Sequence, residues 1–381
     1  MGKWNYSTVG EINNYKGKSI NPLNTPETTY ELYSVPSWDN NYPEIITGSE
    51  IGSTKQIVEK DDVLLCKINP RINRVWVVEQ YTELPLIASS EWIIVRNKNI
   101  DSRFLKKYFQ SPIFRDMMVS EQSGIGGSLT RAQPKRVSAY PVPLPPLPTQ
   151  KQIADVLDRA SALIEKRKAQ IERLELLIKS QFIEMFGDPV INPKGWEMST
   201  VGKEVIFEGG AQPDKKWFEY QSTKDNVRLI QIRDYKTDSY LTYIPKDKAR
   251  RFCDASDIMI GRYGPPIFQI LKGIEGAYNV ALIKATPVRC KKDYARQFLM
   301  QDTLFKYIEG LSQRTAGQTG IDMPKLKAYP FPIPPIPLQN SFAAFVERVE
   351  TQKALLQRSL EKLELNYKSL MQKCFQGEIF L

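Results

Sequence analysis

The second half of this chain repeats the first, and that repeat constrains the fold more than any other feature. The run AYPVPLPPLPTQ from Ala139 to Gln150 returns as AYPFPIPPIPLQ from Ala328 to Gln339, a shift of 189 positions. The same shift carries Glu172-Arg-Leu-Glu-Leu onto Glu361-Lys-Leu-Glu-Leu, Lys179-Ser180 onto Lys368-Ser369, and Phe186 onto Phe375. A repeat has to be read before local patterns, because it sets the architecture. Two copies, rather than many, imply a pseudo-dimer with two related surfaces and pseudo-twofold symmetry.

Prolines 141, 143, 145, 146 and 148 exclude a helix interior or a central strand and favour a stiff, extended connector. Thr149 is the expected N-cap of the amphipathic run that follows. In that run Ile171, Leu174, Ile178, Gln181 and Met185 are spaced 3, 4, 3 and 4. Leu360, Leu363, Tyr367, Leu370 and Cys374 keep the same register, extended upstream by Leu356, and this is coiled-coil spacing. Gly187-Asp188-Pro189 and Gln376-Gly377 are the stop signals. Each helix, about 38 residues, would be roughly 57 Å long. One alone cannot bury its apolar stripe; two in one chain bury each other most simply as an antiparallel pair. The expected seam is Ile171, Leu174, Ile178, Met185, Leu356, Leu360, Leu363, Tyr367 and Leu370.

The segments before the two proline tracts also echo each other. Trp4-Asn-Tyr-Ser-Thr-Val-Gly matches Trp196-Glu-Met-Ser-Thr-Val-Gly, and Asp62-Val-Leu-Leu-Cys-Lys67 matches Asp257-Ile-Met-Ile-Gly-Arg262. Gln110 to Phe114 matches Gln301 to Phe305, and reads as helix interior. Runs such as 91–95, 227–232 and 280–283 read as strands. The expected class is therefore mixed α/β (α+β), in four parts: a globular domain over 1–140, a tract and helix over 141–192, a second globular domain over 193–329, and a tract and helix over 330–381. The two globular parts share a frame but differ in most polar residues, as expected where one scaffold recognises two different things.

The chain has no histidine, which removes the commonest general base and metal ligand and lowers the expectation of intrinsic catalysis. Cys66, Cys253, Cys290 and Cys374 lack the paired spacing of a metal knuckle or disulfide framework. No apolar run approaches the roughly 20 residues of a membrane span, and the first residues carry no signal core, so a cytoplasmic location is expected. Net charge is +10. Residues 1–140 hold 17 basic and 15 acidic groups, whereas 193–329 hold 23 and 16. The excess in the second globular part points to a polyanionic partner.

With these motifs in hand, the chain resembles the specificity (S) subunit of Type I restriction–modification systems over essentially its whole length. The resemblance rests on the tract before each long helix, Pro143-Leu-Pro-Pro-Leu-Pro-Thr-Gln150 and Pro332-Ile-Pro-Pro-Ile-Pro-Leu-Gln339, and also on Gly195-Trp196 and Ser256-Asp-Ile-Met-Ile-Gly-Arg262. Departures are Thr149 and Leu338 where that family usually has Glu, Lys3 before Trp4, and Asp61 before Asp62. The resemblance implies a non-catalytic subunit with two target-recognition domains, each reading one half of a split site in double-stranded DNA. The helices would set the distance between halves and dock two methyltransferase subunits, to which restriction subunits add. S-adenosylmethionine would sit on the methyltransferase partner, ATP and Mg on the restriction partner, and no cofactor on this chain.

Affinity for DNA comes from Lys and Arg on phosphates, specificity from Arg, Lys, Asn and Gln on base edges. Candidates in the first domain are Lys67, Asn69, Arg71, Asn73 and Arg74 in a proline-broken loop, then Arg131, Lys135 and Arg136 after the glycine-rich stretch 124–128. Their counterparts are Arg262 and Tyr263, then Arg314, Gln318, Lys325 and Lys327. Arg233 and Lys236 form a third set. Two other readings compete. Pro213-Asp214 with Asp234-Tyr-Lys236 fits the loose pattern of a metal nuclease, without an equivalent in the first domain. A coiled-coil adaptor for protein partners would have no use for the basic loops.

Overall fold

The computed structural model describes residues 4–120, 130–264, 266–312 and 320–380, with the side chain of residue 312 left out. The chain divides into two compact units: 1–169 with 358–381, and 170–357. Each unit thus takes in part of both long helices.

In the first unit, Tyr6–Thr8 pairs antiparallel with Pro141–Pro143. This pair places the proline tract in a two-stranded sheet, where the missing N–H groups cost little. Thr8 and Glu11 then cap the short helix Val9–Ile12 reciprocally. A five-stranded sheet runs in the order Ser19–Ile20, Lys55–Ile57, Leu86–Ser89, Thr29–Tyr33, Glu44–Thr47, beside a three-stranded sheet with Val63–Cys66 between Val75–Val77 and Trp92–Val95. Helices Ser102–Phe109, Pro112–Ser120 and Pro134–Val137 follow.

The second unit keeps this plan. Glu197–Thr200 pairs with Pro330–Ile333. One four-stranded sheet is Val205–Gly209, Leu282–Pro287, Ile258–Gly261, Gln269–Lys272; another is Tyr243–Pro245, Asn226–Ile230, Gly276–Tyr278, Phe252–Cys253. Each unit holds a parallel strand pair at the same point in the plan, Thr29–Tyr33 with Leu86–Ser89 and Asn226–Ile230 with Gly276–Tyr278. The helices are Lys292–Leu299, Asp302–Ser312 and Met323–Ala328.

The long helices span Leu147–Phe186 and Ile336–Gln376. Both begin inside the proline tract, so Thr149 lies in the first turn and is not the N-cap. Proline is tolerated there because its absent N–H would be unpaired in any helix. Gly187 and Gly377 follow the last turns at φ 78° and 73°, the left-handed geometry that ends a helix. The helices are antiparallel. In the second unit Glu175 pairs with Lys353 while Phe182, further along, meets Phe342.

Of the expected seam, Ile171, Ile178 and Leu360 are buried, while Leu174, Met185, Leu356, Leu363, Tyr367 and Leu370 are half-buried. The stripe is not purely helix against helix. Ile178, Phe182 and Phe186 enter the core of the second unit with Phe342, Val346 and Val349. Met371, Cys374 and Phe375 enter that of the first with Ile153, Ala154 and Leu157. The opening tryptophans tie in at these helix ends: Trp4 Nε1 donates to the Cys374 carbonyl at 3.0 Å and Trp196 Nε1 to that of Phe186 at 2.8 Å.

Three local expectations shift. Gln110 caps the end of Ser102–Phe109, and a new helix opens at Pro112, so 110–114 is a helix junction. Buried Ser111 receives the Phe114 amide at 3.3 Å and turns the chain there. The 227–232 run stops at Ile230, where Gln231 and Asp234 cap a 3-10 turn. The 280–283 run begins its strand only at Leu282, after Asn279 accepts the Ala281 amide.

Candidate nucleic-acid interface

The strand-edge aspartate of the repeated motif holds each unit's central sheet. Asp62 accepts the Glu59 amide at 2.8 Å and two bonds from Arg96 at 2.7 and 2.6 Å. Asp257 accepts the Asp254 amide at 3.0 Å and pairs with Lys284 and Lys292 at 2.8 and 3.2 Å. Burial works against the Asp257 charge, yet these donors hold its carboxyl below the usual range.

The loop after the first of these strands carries Lys67 to Arg74. Asn69 and Asn73 adopt φ 48° and 54° around a 3-10 turn at Pro70–Ile72, and asparagine tolerates that left-handed backbone. The segment after the glycine-rich stretch pins the loop. Asn69 N–H donates to the Thr130 carbonyl at 2.9 Å, and Lys67 O accepts the Ala132 amide at 2.9 Å. Ile68 and Arg131 form the intervening bridge. Two candidate clusters, more than fifty residues apart in sequence, thus become one surface.

On that surface Arg71 is exposed and Lys67 half-buried, while Arg131 pairs with Glu91 at 3.0 Å. Arg74 instead lies over the Trp38 ring, 5.7 Å from its centroid, so packing holds much of it. Asn69 and Asn73 are half-buried and shape the turn. Lys135 and Arg136 are exposed on Pro134–Val137.

The second unit repeats the joint with other residues. Tyr263 bridges to Gly320 as Ile68 does to Arg131, and Arg262 stacks on Tyr263 at 5.2 Å. Lys325 and Lys327 are exposed on Met323–Ala328. The glycine-rich stretch 124–128, Arg314 and Gln318 lie outside the described residues. Arg233 and Lys236 sit on and just after the 3-10 turn Ile232–Tyr235, both exposed. Ile232 packs so close to Gly261 that a Cβ there would meet its Cδ1 at 2.9 Å. The turn bearing Arg233 therefore borders the loop that begins at Arg262.

Sequence reasoning missed the aromatic residues around this turn. Tyr220 and Tyr240 are 74% and 65% exposed. Trp217 has Lys216 and Lys248 nitrogens 5.4 and 5.1 Å from its ring. The available signal was the density of Lys and Arg interleaved with Trp and Tyr between 214 and 251.

The nuclease-like pattern dissolves into turns. Exposed Asp214 caps Lys215–Trp217; buried Asp234 caps at Gln231 beside Arg228. Among the described residues no group of three or more His, Cys, Asp or Glu is placed to hold a metal ion, and no helix is long and apolar enough to cross a membrane. Burial pushes the thiols of Cys253 and Cys374 up to about 11 and Cys290 to about 12, so they stay protonated and unreactive at neutral pH.

The family model of the Type I restriction modification DNA specificity domain matches residues 1–175 and again 193–365. The chain belongs to that family. As a specificity subunit it supplies DNA sequence recognition to a type I restriction–modification system, whose catalysis lies elsewhere. Two specificity subunits of Methanocaldococcus jannaschii are similar to it. The putative MjaX subunit is 23% identical over 370 residues, covering 89% of this chain and 82% of its own. The MjaVIII subunit is 23% identical over 363 residues, covering 88% and 81%. A chain solved in work on assembly and conformational transition of the type I R-M system shares the fold. Its TM-score is 0.58 at 17% identity, covering 99% of this specificity subunit and 98% of that chain.

Proposed function

We propose that each unit of this specificity subunit reads one half of a bipartite site in double-stranded DNA, and that the two long helices dock two methyltransferase subunits and set the gap between halves. The observation that carries this reading is the doubled joint. In each unit a cation-bearing loop after a central strand is bridged to the segment preceding the short helix, at Ile68 with Arg131 and at Tyr263 with Gly320. The joint is kept while the side chains on it change. A constant frame with variable polar residues suits two different base sequences on one kind of polymer.

The docking half rests on the helices. Leu176 and Leu365 occupy the same place in the repeated Glu-x-Leu-Glu-Leu and are 60% and 68% exposed. Two equal apolar positions on polar helix faces fit two copies of one partner. In this reading S-adenosylmethionine belongs to the methyltransferase, which extrudes its target adenine from the duplex. ATP and Mg belong to a restriction subunit, and the assembly works in the cytoplasm.

The test is a methylome. The chain is expressed with its methyltransferase in an unmethylated host, and modified bases are read by long-read sequencing. A split motif with one methyladenine per half is expected. An assembled complex that leaves no new methylation would overturn the reading in favour of a protein adaptor or a degenerate specificity subunit.

A further inference from the structure

The two units are unequally equipped to hold DNA. The stretch 210–251 of the second unit holds ten basic and six acidic residues, whereas 14–54 of the first holds two and five. Part of that basic stretch folds around an open groove of about 430 Å³ whose lining includes Tyr220, Arg233, Asp238, Tyr240 and Tyr243, Asp238 being paired with Arg228 at 2.9 Å. Arg233 is exposed but not loose. Its Nη2 donates to Thr242 Oγ1 at 3.1 Å and to the Tyr240 carbonyl at 3.3 Å. Thr242 is fully buried and is itself bonded by Gln231 Nε2 at 3.1 Å. The Arg233 guanidinium also lies 6.0 Å from the Tyr240 ring centroid. Its Nη1 takes no protein partner among the described residues.

A guanidinium held through Nη2, with Nε 3.9 Å from the Asp234 carboxylate and Nη1 left to donate, in the lining of an aromatic groove has the geometry of a recognition group. Arginine bonding to O6 and N7 of guanine is the commonest base-specific contact in DNA complexes. Bonds to buried neighbours such as Thr242 hold a reading group in its productive orientation. A cation serving only phosphate needs no such support, and the exposed lysines 216, 236 and 248 can supply that contact.

We propose that Arg233 is a specificity-determining residue that reads a guanine in the half-site bound by the second unit, with Tyr220 and Tyr240 walling the groove against the DNA and Trp217, Lys216 and Lys248 anchoring the adjoining backbone. This rests on the half-site reading above and adds which side chain reads and which anchor. It also assigns the larger share of phosphate affinity to the second unit's half.

The experiment compares wild type with R233A and R233K in the complete methyltransferase complex, by methylome and by binding to duplexes with either half scrambled. R233A is expected to relax one G·C position in one half only, and to weaken binding to the intact site by about 10- to 100-fold, as loss of one charge-assisted hydrogen bond does. R233K should keep the salt dependence yet fail to restore that position, because a single ammonium nitrogen cannot stay bonded to Thr242 and also reach the base. Restoration by R233K would mark a phosphate contact and overturn the assignment, as would R233A with both halves unchanged. If R233A does not assemble, Y240A, in which the substituted ring is largely exposed, should impair the same half alone; impairment of neither half or of both equally would overturn the assignment. A wild-type complex with no bipartite motif would remove the half-site reading itself, a result distinct from all of these.

Discussion

The Gln150 side chain joins two helices: its Oε1 accepts the Asp101 backbone amide at 2.9 Å while its Nε2 donates to the Pro145 carbonyl at 2.8 Å. Asp101 is the N-cap of Ser102–Phe109, so the tract glutamine fixes the start of the long helix against the start of a domain helix. Gln339 does the same with the Lys291 amide at 2.8 Å and the Pro334 carbonyl at 2.7 Å. Both side chains are buried, Gln339 completely. Replacing either by Ala leaves a backbone amide and a carbonyl unpaired in the interior. We expect Q150A and Q339A each to destabilise their own unit by about 1–3 kcal/mol, measured by denaturant unfolding, with sequence preference unchanged.

Leu176 and Leu365 should meet the methyltransferase. L176D and L365D each place a charge where the wild type already faces solvent, so thermal unfolding of the isolated chain should hold steady. Methyltransferase capture should fall at least tenfold per site, on the order of a central interface residue. Titration by analytical ultracentrifugation should then stop at one partner for each single variant and at none for the double. Two partners bound to the double variant would refute the docking surface.

Lys67 and Arg71 should act on phosphate. The K67A/R71A variant is expected to weaken the half-site read by the first unit and leave assembly intact. The slope of log affinity against log salt should fall by about 0.9 for each phosphate no longer neutralised. Arg74 is left in place in this test because it packs on Trp38.

Helix length should set the gap. One heptad added to both helices at matching points lengthens the pair by about 10 Å, or about three base pairs at 3.4 Å per step. The methylome should show the same half-sites with a longer spacer; an unchanged spacer would separate the helices from the ruler.

Acid should loosen the second unit through Glu204. Arg289 bonds this carboxylate at 2.6 and 3.1 Å and, with Ser199 at 2.6 Å, holds its carboxyl below the usual range. A depressed folded pKa means the contribution is complete above the unfolded value, about 4.3, and is lost as pH falls through the folded one. E204Q should be less stable at pH 7 and lose less stability than wild type between about pH 5 and 3.

How far this was legible in sequence follows from what each signal depends on. The repeat, the antiparallel helices and their stops were readable because periodicity and glycine act locally. The true helix starts at Leu147 and Ile336 were hidden because proline usually marks a break, yet it is harmless in a first turn. The candidate loops were partly readable. Lys67 and Arg71 behave as solvent-facing cations, but the bridge that unites their loop with Arg131 is a tertiary contact with no local signature. Arg74 gave no hint of its ring partner, since Trp38 is distant in the chain. The groove around Arg233 was hidden because Tyr220 and Tyr240 lie in stretches without a repeated motif, so resemblance between the copies does not point to them.

Neither unit is complete without both helices: Met371, Cys374 and Phe375 fill the core that Ile153, Ala154 and Leu157 line, and Phe182 and Phe186 do so for Phe342. A half-length chain ending after the first long helix would therefore carry a socket without its plug, and a plug without its socket. Two such halves would be mutually complementary, so that one repeat taken twice would be a self-sufficient version of this molecule, and under the half-site reading its expected target is palindromic rather than asymmetric.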